Sequence, residues 1–205
     1  MDYVIIAILG YLIGSIPNGL IIGKQFYHVD LRQFGSKNIG ATNAFRTLGV
    51  KPALWVFLTD AAKGIIAVYG ANIFVGTPIA LLVAGIAAIA GHNWSIFLKF
   101  TGGRGVATGL GVIIVLVPKV TLIVFVVWSV IVYFTRYVSL ASIIAATLVP
   151  IMMWFMGERH EFLYFGVIIA LFVVIRHRPN IERLLKGQEL KIKVGSMTAE
   201  SKKEK

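Results

Sequence analysis

The chain contains no cysteine. Disulfides, thiolate metal sites, a cysteine nucleophile and a thioester carried on the protein are therefore excluded. Charge is scarce too: 14% of the 205 residues are Asp, Glu, Lys or Arg, against roughly a quarter in a soluble domain. Acids are the rarer sign, nine against twenty Lys and Arg, giving a formal net charge of +11. The four histidines show no ligand spacing of the His-Glu-x-x-His kind, so neither a metal nor a cofactor is expected. No Gly-x-x-x-x-Gly-Lys-Ser/Thr occurs, so nucleotide hydrolysis is not indicated. The first residues, Met1 to Leu12, lack the basic stretch that opens a signal peptide, and the apolar run continues to Ile22. It reads as a retained span.

What the chain has instead is apolar length. Hydrophobic residues make up 58% of it, and a helix needs about 20 mostly apolar residues to cross a bilayer. The runs are Tyr3–Ile22, Pro52–Val75, Pro78–Leu98, Val106–Val117, Val120–Phe134, Ile143–Met156 and Phe162–Ile175. Joining the fourth and fifth would bury Pro118-Lys119 at mid-membrane, where a charge is costly. Two short spans meeting at the far surface read better. The expectation is an all-α, polytopic membrane protein with seven spans. Residues 1–187 would form one transmembrane domain, and 188–205 a basic, flexible, non-catalytic tail.

Seven spans put the termini on opposite sides. With the N-terminus outside, seventeen Lys and Arg fall in inside segments and two, Lys119 and Arg159, outside; Lys63 lies within a span. That sorting predicts a cytoplasmic C-terminus. On a soluble protein this charge would suggest nucleic acid. Here loop sorting accounts for it, no nucleic-acid partner is expected, and the surplus suits anionic lipids or phosphorylated substrates.

Three segments on the inside carry polar chemistry. The first runs from Gly35 through Ser36, Lys37, Asn38, Gly40, Thr42 and Asn43 to Arg46. The second is Thr101-Gly102-Gly103-Arg104-Gly105-Val106-Ala107-Thr108-Gly109. The third is Arg176-His177-Arg178-Pro179-Asn180. Glycine-rich loops let successive backbone N–H groups converge on an anion, and a helix starting just after adds its free N–H groups and dipole. Arg46 and Arg104 could add forked donors to phosphate oxygens. One such loop is as readily an ordinary turn; two on one face favour anion binding.

Other polar residues have quieter readings. Asp60 and Lys63 share one face of a span; an intramembrane ionisable residue is a functional suspect, but a mutual ion pair that supports packing fits slightly better. His92 reads as a helix-packing hydrogen bond. His177 reads equally as a functional group or a polar surface residue. Gly14-Ser15-Ile16-Pro17-Asn18-Gly19 interrupts the first run, as a kink that neighbours repair or as an opening beside a substrate. Trp55, Trp94, Trp128 and Trp154 fit interface anchors or packing.

Taken in order, Gly14–Gly19, Gly35–Arg46, Gly91–Thr108, Arg136–Ser142 and Arg176–Ile181 resemble the motifs of the bacterial acyl-phosphate:glycerol-3-phosphate acyltransferase family. The resemblance covers nearly all of the chain except the last fifteen or so residues. It implies a multi-pass protein of the bacterial cytoplasmic (inner) membrane with its active site on the cytoplasmic face. The reaction would move a fatty acyl group from acyl phosphate to the sn-1 hydroxyl of glycerol 3-phosphate, giving lysophosphatidic acid and inorganic phosphate, the first step of phospholipid synthesis. It further implies membrane lipids as surroundings and an upstream enzyme that forms acyl phosphate. Acyl phosphate is an activated mixed anhydride, so no acyl-enzyme is needed and the missing cysteine is no obstacle.

On that resemblance Ser36, Arg46, Arg104, His177 and Asn180 are the catalytic candidates. Asn38, Gly40, Thr42, Asn43, Gly102, Gly103 and Ser142 are the substrate-binding ones. The family usually has Lys where Arg104 stands; an arginine keeps the charge but does not readily release a proton. It often has Gly where Lys37 stands, so Lys37 predicts that positive φ is not required there. The His-x-x-x-x-Asp pattern of acyltransferases that use thioesters is absent, since Phe97 stands five residues after His92. The rival reading is a transporter for a phosphorylated solute, which predicts binding residues near the bilayer midplane.

Overall fold

The computed structural model describes residues 1–192, which fold into ten α-helices: α1 (Asp2–Ser15), α2 (Asn18–Tyr27), α3 (Ala41–Leu48), α4 (Val50–Phe74), α5 (Pro78–Asn93), α6 (Val106–Leu116), α7 (Pro118–Thr135), α8 (Val138–Phe155), α9 (His160–Arg176) and α10 (Arg178–Leu185). Their ends follow local chemistry. Thr77 caps α5 by accepting from the Ala80 N–H, with Pro78 in the first turn. Pro118 opens α7, and Gly49, at φ 98°, separates α3 from α4.

Among the described residues, four helical stretches are long and apolar enough to cross a membrane: Asp2–Tyr27 (α1 with α2), Val50–Phe74, Pro118–Thr135 and Val138–Phe155. Counting the bent pair α9–α10 as one span makes five; Pro78–Asn93 and Val106–Leu116 are apolar but shorter. The fourth and fifth runs are two helices, as expected. The Thr121 hydroxyl donates to the Ile113 carbonyl at 2.7 Å, across eight positions that a continuous helix would set about 12 Å apart. The chain therefore reverses at Val117-Pro118.

The interior is built from small residues and close backbones, as expected where lipid supplies no hydrophobic drive between helices. A side chain at Gly14 of α1 would collide with the Ala88 backbone of α5, and one at Gly64 of α4 with the Thr108 backbone of α6. A core of Val68, Ile89, Val112, Met153 and Phe165 joins α4, α5, α6, α8 and α9. Large apolar side chains point outward along α7, including Leu122, Val126 and Tyr133.

The first span is broken at Ile16-Pro17, and the repair comes from α4. Lys63 Nζ donates to the carbonyls of Gly14 (3.0 Å) and Ile16 (2.9 Å) and pairs with Asp60 Oδ1 at 2.9 Å. Asp60 also accepts from Asn18 at 3.2 Å. The pair is 2% and 4% exposed, and its hydrogen bonds offset the desolvation of the two charges. Lys63 Nζ also meets His92 Nδ1 at 3.0 Å, so His92 is a packing hydrogen bond.

Beyond residue 187, where the domain is expected to end, the next residues still make contacts with the helices. Residues 189–192 lie back along the start of α8. The Ile192 N–H donates to the Arg136 carbonyl at 2.9 Å, and Lys191 Nζ sits 5.2 Å from the Tyr137 ring centroid. Glu189 is 8% exposed. The rest of the expected tail, 193–205, lies outside the described residues.

Candidate active site

At one end of the bundle α3, α4, α6, α8 and the 189–192 strap enclose a polar cavity of about 320 Å³. One wall is the first glycine-rich segment, organised by one buried side chain. Asn43 Oδ1 accepts from the Ser36 N–H at 2.8 Å, while Nδ2 contacts the carbonyls of Leu31 (2.9 Å), Phe34 (3.1 Å) and Asn38 (2.8 Å). Asn38 Oδ1 in turn takes the Gly40 N–H at 2.9 Å. The N–H groups of Ser36 and Gly40 are thus committed within the loop. What faces the cavity is the start of α3 and the side chains of Ser36, Thr42 and Arg46.

Lys37 departs from expectation. Its φ is +57°, so the position does adopt the left-handed region. The turn is closed by the Lys37 N–H on the Phe34 carbonyl at 2.9 Å and by Asn43 on Asn38. A lysine there accepts a cost of about 1–2 kcal/mol that the surrounding hydrogen bonds offset.

The second segment is supported from outside itself. The Gly103 N–H donates to the His92 carbonyl at 3.0 Å. Arg176 donates to the Gly103 carbonyl at 2.9 Å and the Gly102 carbonyl at 3.2 Å. Its guanidinium also lies 5.6 Å from the Trp94 ring centroid, a cation–π arrangement. A side chain at Gly103 would strike the His92 ring, and one at Gly102 the His92–Asn93 backbone. These two glycines, expected to touch substrate, lie off the cavity wall, where the loop presses on the end of α5. Arg104, Gly105, Val106 and Ala107 reach the cavity.

The third segment lies opposite. His177, beyond the last residue of α9, is 2% exposed and lines the cavity. Its Nδ1 is 2.7 Å from the Val173 carbonyl; a carbonyl only accepts, so Nδ1 carries the proton and Nε2 keeps a lone pair in the neutral ring. Asn180 is buried beside it but is not on the cavity wall. It donates to Glu189 Oε1 at 2.7 Å. Glu189 also accepts from Ser139 (2.8 Å) and Arg183 (2.7 Å), and the next residue's carbonyl accepts from Arg46 Nη2 at 2.6 Å.

The cavity thus gathers nine of the twelve sequence candidates: Ser36, Asn38, Gly40, Thr42, Asn43, Arg46, Arg104, Ser142 and His177. Gly102, Gly103 and Asn180 stand behind it. Sequence reasoning missed Glu189, Ser139 and the supporting role of Arg176. A lone acid just after a Gly187 turn, in a basic stretch, was the available signal for Glu189. Asp60 and His92 also reach the wall, so the repaired helix break borders the site.

The electrostatics are those of an anion site. Arg104 makes no hydrogen bond or ion pair among the described residues. Burial lowers its guanidinium to about 10; Glu189 opposes the shift, and Arg183, Arg46 and Arg176 add to it. It stays charged at neutral pH. Burial likewise lowers Arg46, with Glu189 opposing, and burial beside Arg104 pulls His177 down to about 4. Burial raises Glu189, but the hydrogen bonds from Asn180, Ser139 and Arg183 outweigh it and leave the group below its ordinary value.

A second, apolar cleft of about 90 Å³ continues from the polar one, between α6, α7, α8 and α9. Phe57, Gly105, Val106, Trp128 and Ser142 line both. At the junction Trp128 Nε1 donates to Ser142 Oγ at 3.2 Å.

Comparison with known proteins gives a consistent result. A family model described as glycerol-3-phosphate acyltransferase matches residues 4–187. The glycerol-3-phosphate acyltransferase of Fusobacterium nucleatum subsp. nucleatum is 47% identical over 193 residues, 94% of this chain and 100% of that protein. That of Prochlorococcus marinus (strain MIT 9301) is 46% identical over 191 residues, 92% and 97% of the two chains. Among solved structures, the fold is similar to that of PlsY (YgiH), an integral membrane glycerol 3-phosphate acyltransferase. Its glycerol 3-phosphate form matches with a TM-score of 0.89 at 40% identity over 94% of this chain and 96% of that one. Its lysophosphatidic acid form matches at 0.88 and 38%.

Proposed function

The chain belongs to the glycerol-3-phosphate acyltransferase family, and from that premise we propose that it takes its acyl group from acyl phosphate and delivers it directly to the sn-1 hydroxyl of glycerol 3-phosphate. The products are lysophosphatidic acid and inorganic phosphate, and the donor comes from an enzyme that makes acyl phosphates. The site works at the cytoplasmic face of a seven-span protein of the bacterial inner membrane, where its basic loops collect.

One observation carries this reading: a cavity lined by Arg46, Arg104, Ser36 and Thr42 opens into an apolar cleft, with Ser142 and Trp128 at the junction. An acyl phosphate has that same division. Its tail lies in the cleft, its carbonyl reaches the junction, and its phosphate meets Arg104, Ser36, Thr42 and the N–H groups that open α3 and α6. Glycerol 3-phosphate occupies the rest of the polar cavity, against Arg46 and His177. Asn180, held by Glu189, backs His177.

The hydroxyl oxygen attacks the acyl carbonyl carbon, the new ester bond forms, and the carbon–oxygen bond to phosphate breaks. Juxtaposing the reactants can supply roughly 7–11 kcal/mol of the barrier. Arg104 meets charge developing on the departing phosphate, a contribution worth about 3 kcal/mol for a well-aimed donor. The hydroxyl proton goes to a phosphate oxygen of the substrate. Burial beside Arg104 disfavours a protonated His177, and its Nδ1 is committed to the Val173 carbonyl, so His177 orients the substrate.

Purified protein in lipid, given palmitoyl phosphate and labelled glycerol 3-phosphate, should form lysophosphatidic acid with stoichiometric phosphate release. Palmitoyl-coenzyme A, run in parallel, should give none. Product from the thioester but not from acyl phosphate overturns the donor assignment.

A further inference from the structure

Most glycines buried in helices of this protein are explained by a neighbour. At Gly14, Gly64 and Gly111 another backbone lies where a side chain would go, and at Gly85 and Gly166 the Val112 and Met153 side chains do. Gly109 of α6 differs. A Cβ built there would meet only Ile89 Cδ1 at 3.7 Å and Ile169 Cγ2 at 3.9 Å, ordinary van der Waals contacts. Among the described residues it is the one buried helical glycine with such room. Its φ is not positive, and glycine weakens a helix interior relative to alanine. Neither packing nor backbone geometry asks for it.

What lies over Gly109 is the apolar cleft. Residues one helical turn apart mark its depth, at about 5 Å per turn. Gly105 and Ser142 sit at the mouth, level with Val173. One turn further are Gly109, Ala145 and Ile169; two turns further are Ile113, Val149 and Gly166. The upper levels are walled on two sides by residues with little or no side chain, and bulk appears at the third. A valine or leucine at Gly109 would cross the cleft just beyond its mouth.

We propose that Gly109 determines acyl-chain selection: its missing side chain is the passage through which a long chain runs past the first turn of the cleft. The inference rests on the donor reading above. It assigns to this enzyme a preference for long acyl groups and locates that preference at one position.

The test is a series, Gly109→Ala, Gly109→Val and Gly109→Leu, in the full chain reconstituted in lipid. Each is assayed with octanoyl, lauroyl and palmitoyl phosphate and with varied glycerol 3-phosphate. Alanine favours the helix, so that variant keeps the series interpretable if leucine fails to fold. The ratio of kcat/KM for palmitoyl to that for octanoyl phosphate should fall stepwise with side-chain volume. Each methylene forced out of contact costs about a factor of four, so the drop at valine should reach on the order of tenfold. KM for glycerol 3-phosphate should not move. Equal loss with all three donors would reduce Gly109 to a structural role. Unchanged palmitoyl use by the leucine variant would put the chain on another path. Both overturn the inference while leaving the donor reading standing. Turnover of no acyl phosphate by the parent chain sinks the donor reading, and this inference with it.

Discussion

The two glycine-rich loops look alike in sequence and are built in opposite ways. The first is held from within: Asn43 satisfies three carbonyls and one N–H, and Asn38 a further N–H. The second is held from outside, by the His92 carbonyl below and the Arg176 fork beside it. Glycine and asparagine in such loops therefore do not by themselves mark atoms that touch an anion. In the first they form the frame, and in the second Gly102 and Gly103 are spacers that let the loop press on α5. In both, an arginine and a helix start are left facing the cavity, joined in the first loop by the hydroxyls of Ser36 and Thr42.

If that contrast is right, the largest effect comes from breaking the internal frame. Asn43→Ala removes the side chain that holds the Ser36 N–H and, with two amide hydrogens shared among them, three carbonyls; a buried group left unpaired costs about 1–3 kcal/mol. The variant's thermal midpoint and yield in detergent should fall sharply, with all activity lost. Arg104→Ala should do the reverse: phosphate release falls on the order of a hundred- to a thousandfold while the thermal midpoint holds, because no partner is stranded. Arg104→Lys should recover much of the rate. A matching loss of stability in Arg104→Ala would mean the residue is structural.

Arg176→Gln should sit between these. It removes charged hydrogen bonds worth about 1.5–3 kcal/mol from the outer support of the second loop. A raised KM for acyl phosphate, whose head meets Arg104 of that loop, with modest destabilisation, is expected; an unchanged KM would show the loop needs no such brace. The smallest effect concerns the strap that ties the first loop to the third segment. Glu189 has a pKa below its ordinary 4.5. Its stabilisation is therefore present in full above pH 4.5 and is lost as pH falls through the lowered value. The midpoint difference between the parent chain and Glu189→Gln should be constant near neutrality and shrink only in acid.

Much of this was legible in the chain. Apolar length gave the helices, and the charge at Lys119 correctly argued for a reversal at Pro118. The ordered motifs named most of the cavity wall. What escaped was decided by contacts that leave no periodic mark. Glu189 is buried because Ser139, fifty positions earlier, bonds to it. The eight-residue α3 is too short and polar for an apolar-run search. Lys37 tolerates a left-handed backbone because Asn43, six residues on, reaches back beneath it. Gly102 and Gly103 pack on the end of α5, a role the sequence does not separate from anion binding because both ask for glycine.

The bond from Arg46 to the Leu190 carbonyl joins residues 144 positions apart. Synthesis runs from the N-terminal end, and contacts distant in sequence form late. The first loop thus leaves the ribosome long before the carbonyl that will fix its arginine exists. While the intervening helices enter the membrane, the nascent chain holds the first loop without its partner. The Arg46 bond can close only after the residues around 190 have been translated and have folded back. The strap thereby dates one contact of the cavity wall to the end of synthesis.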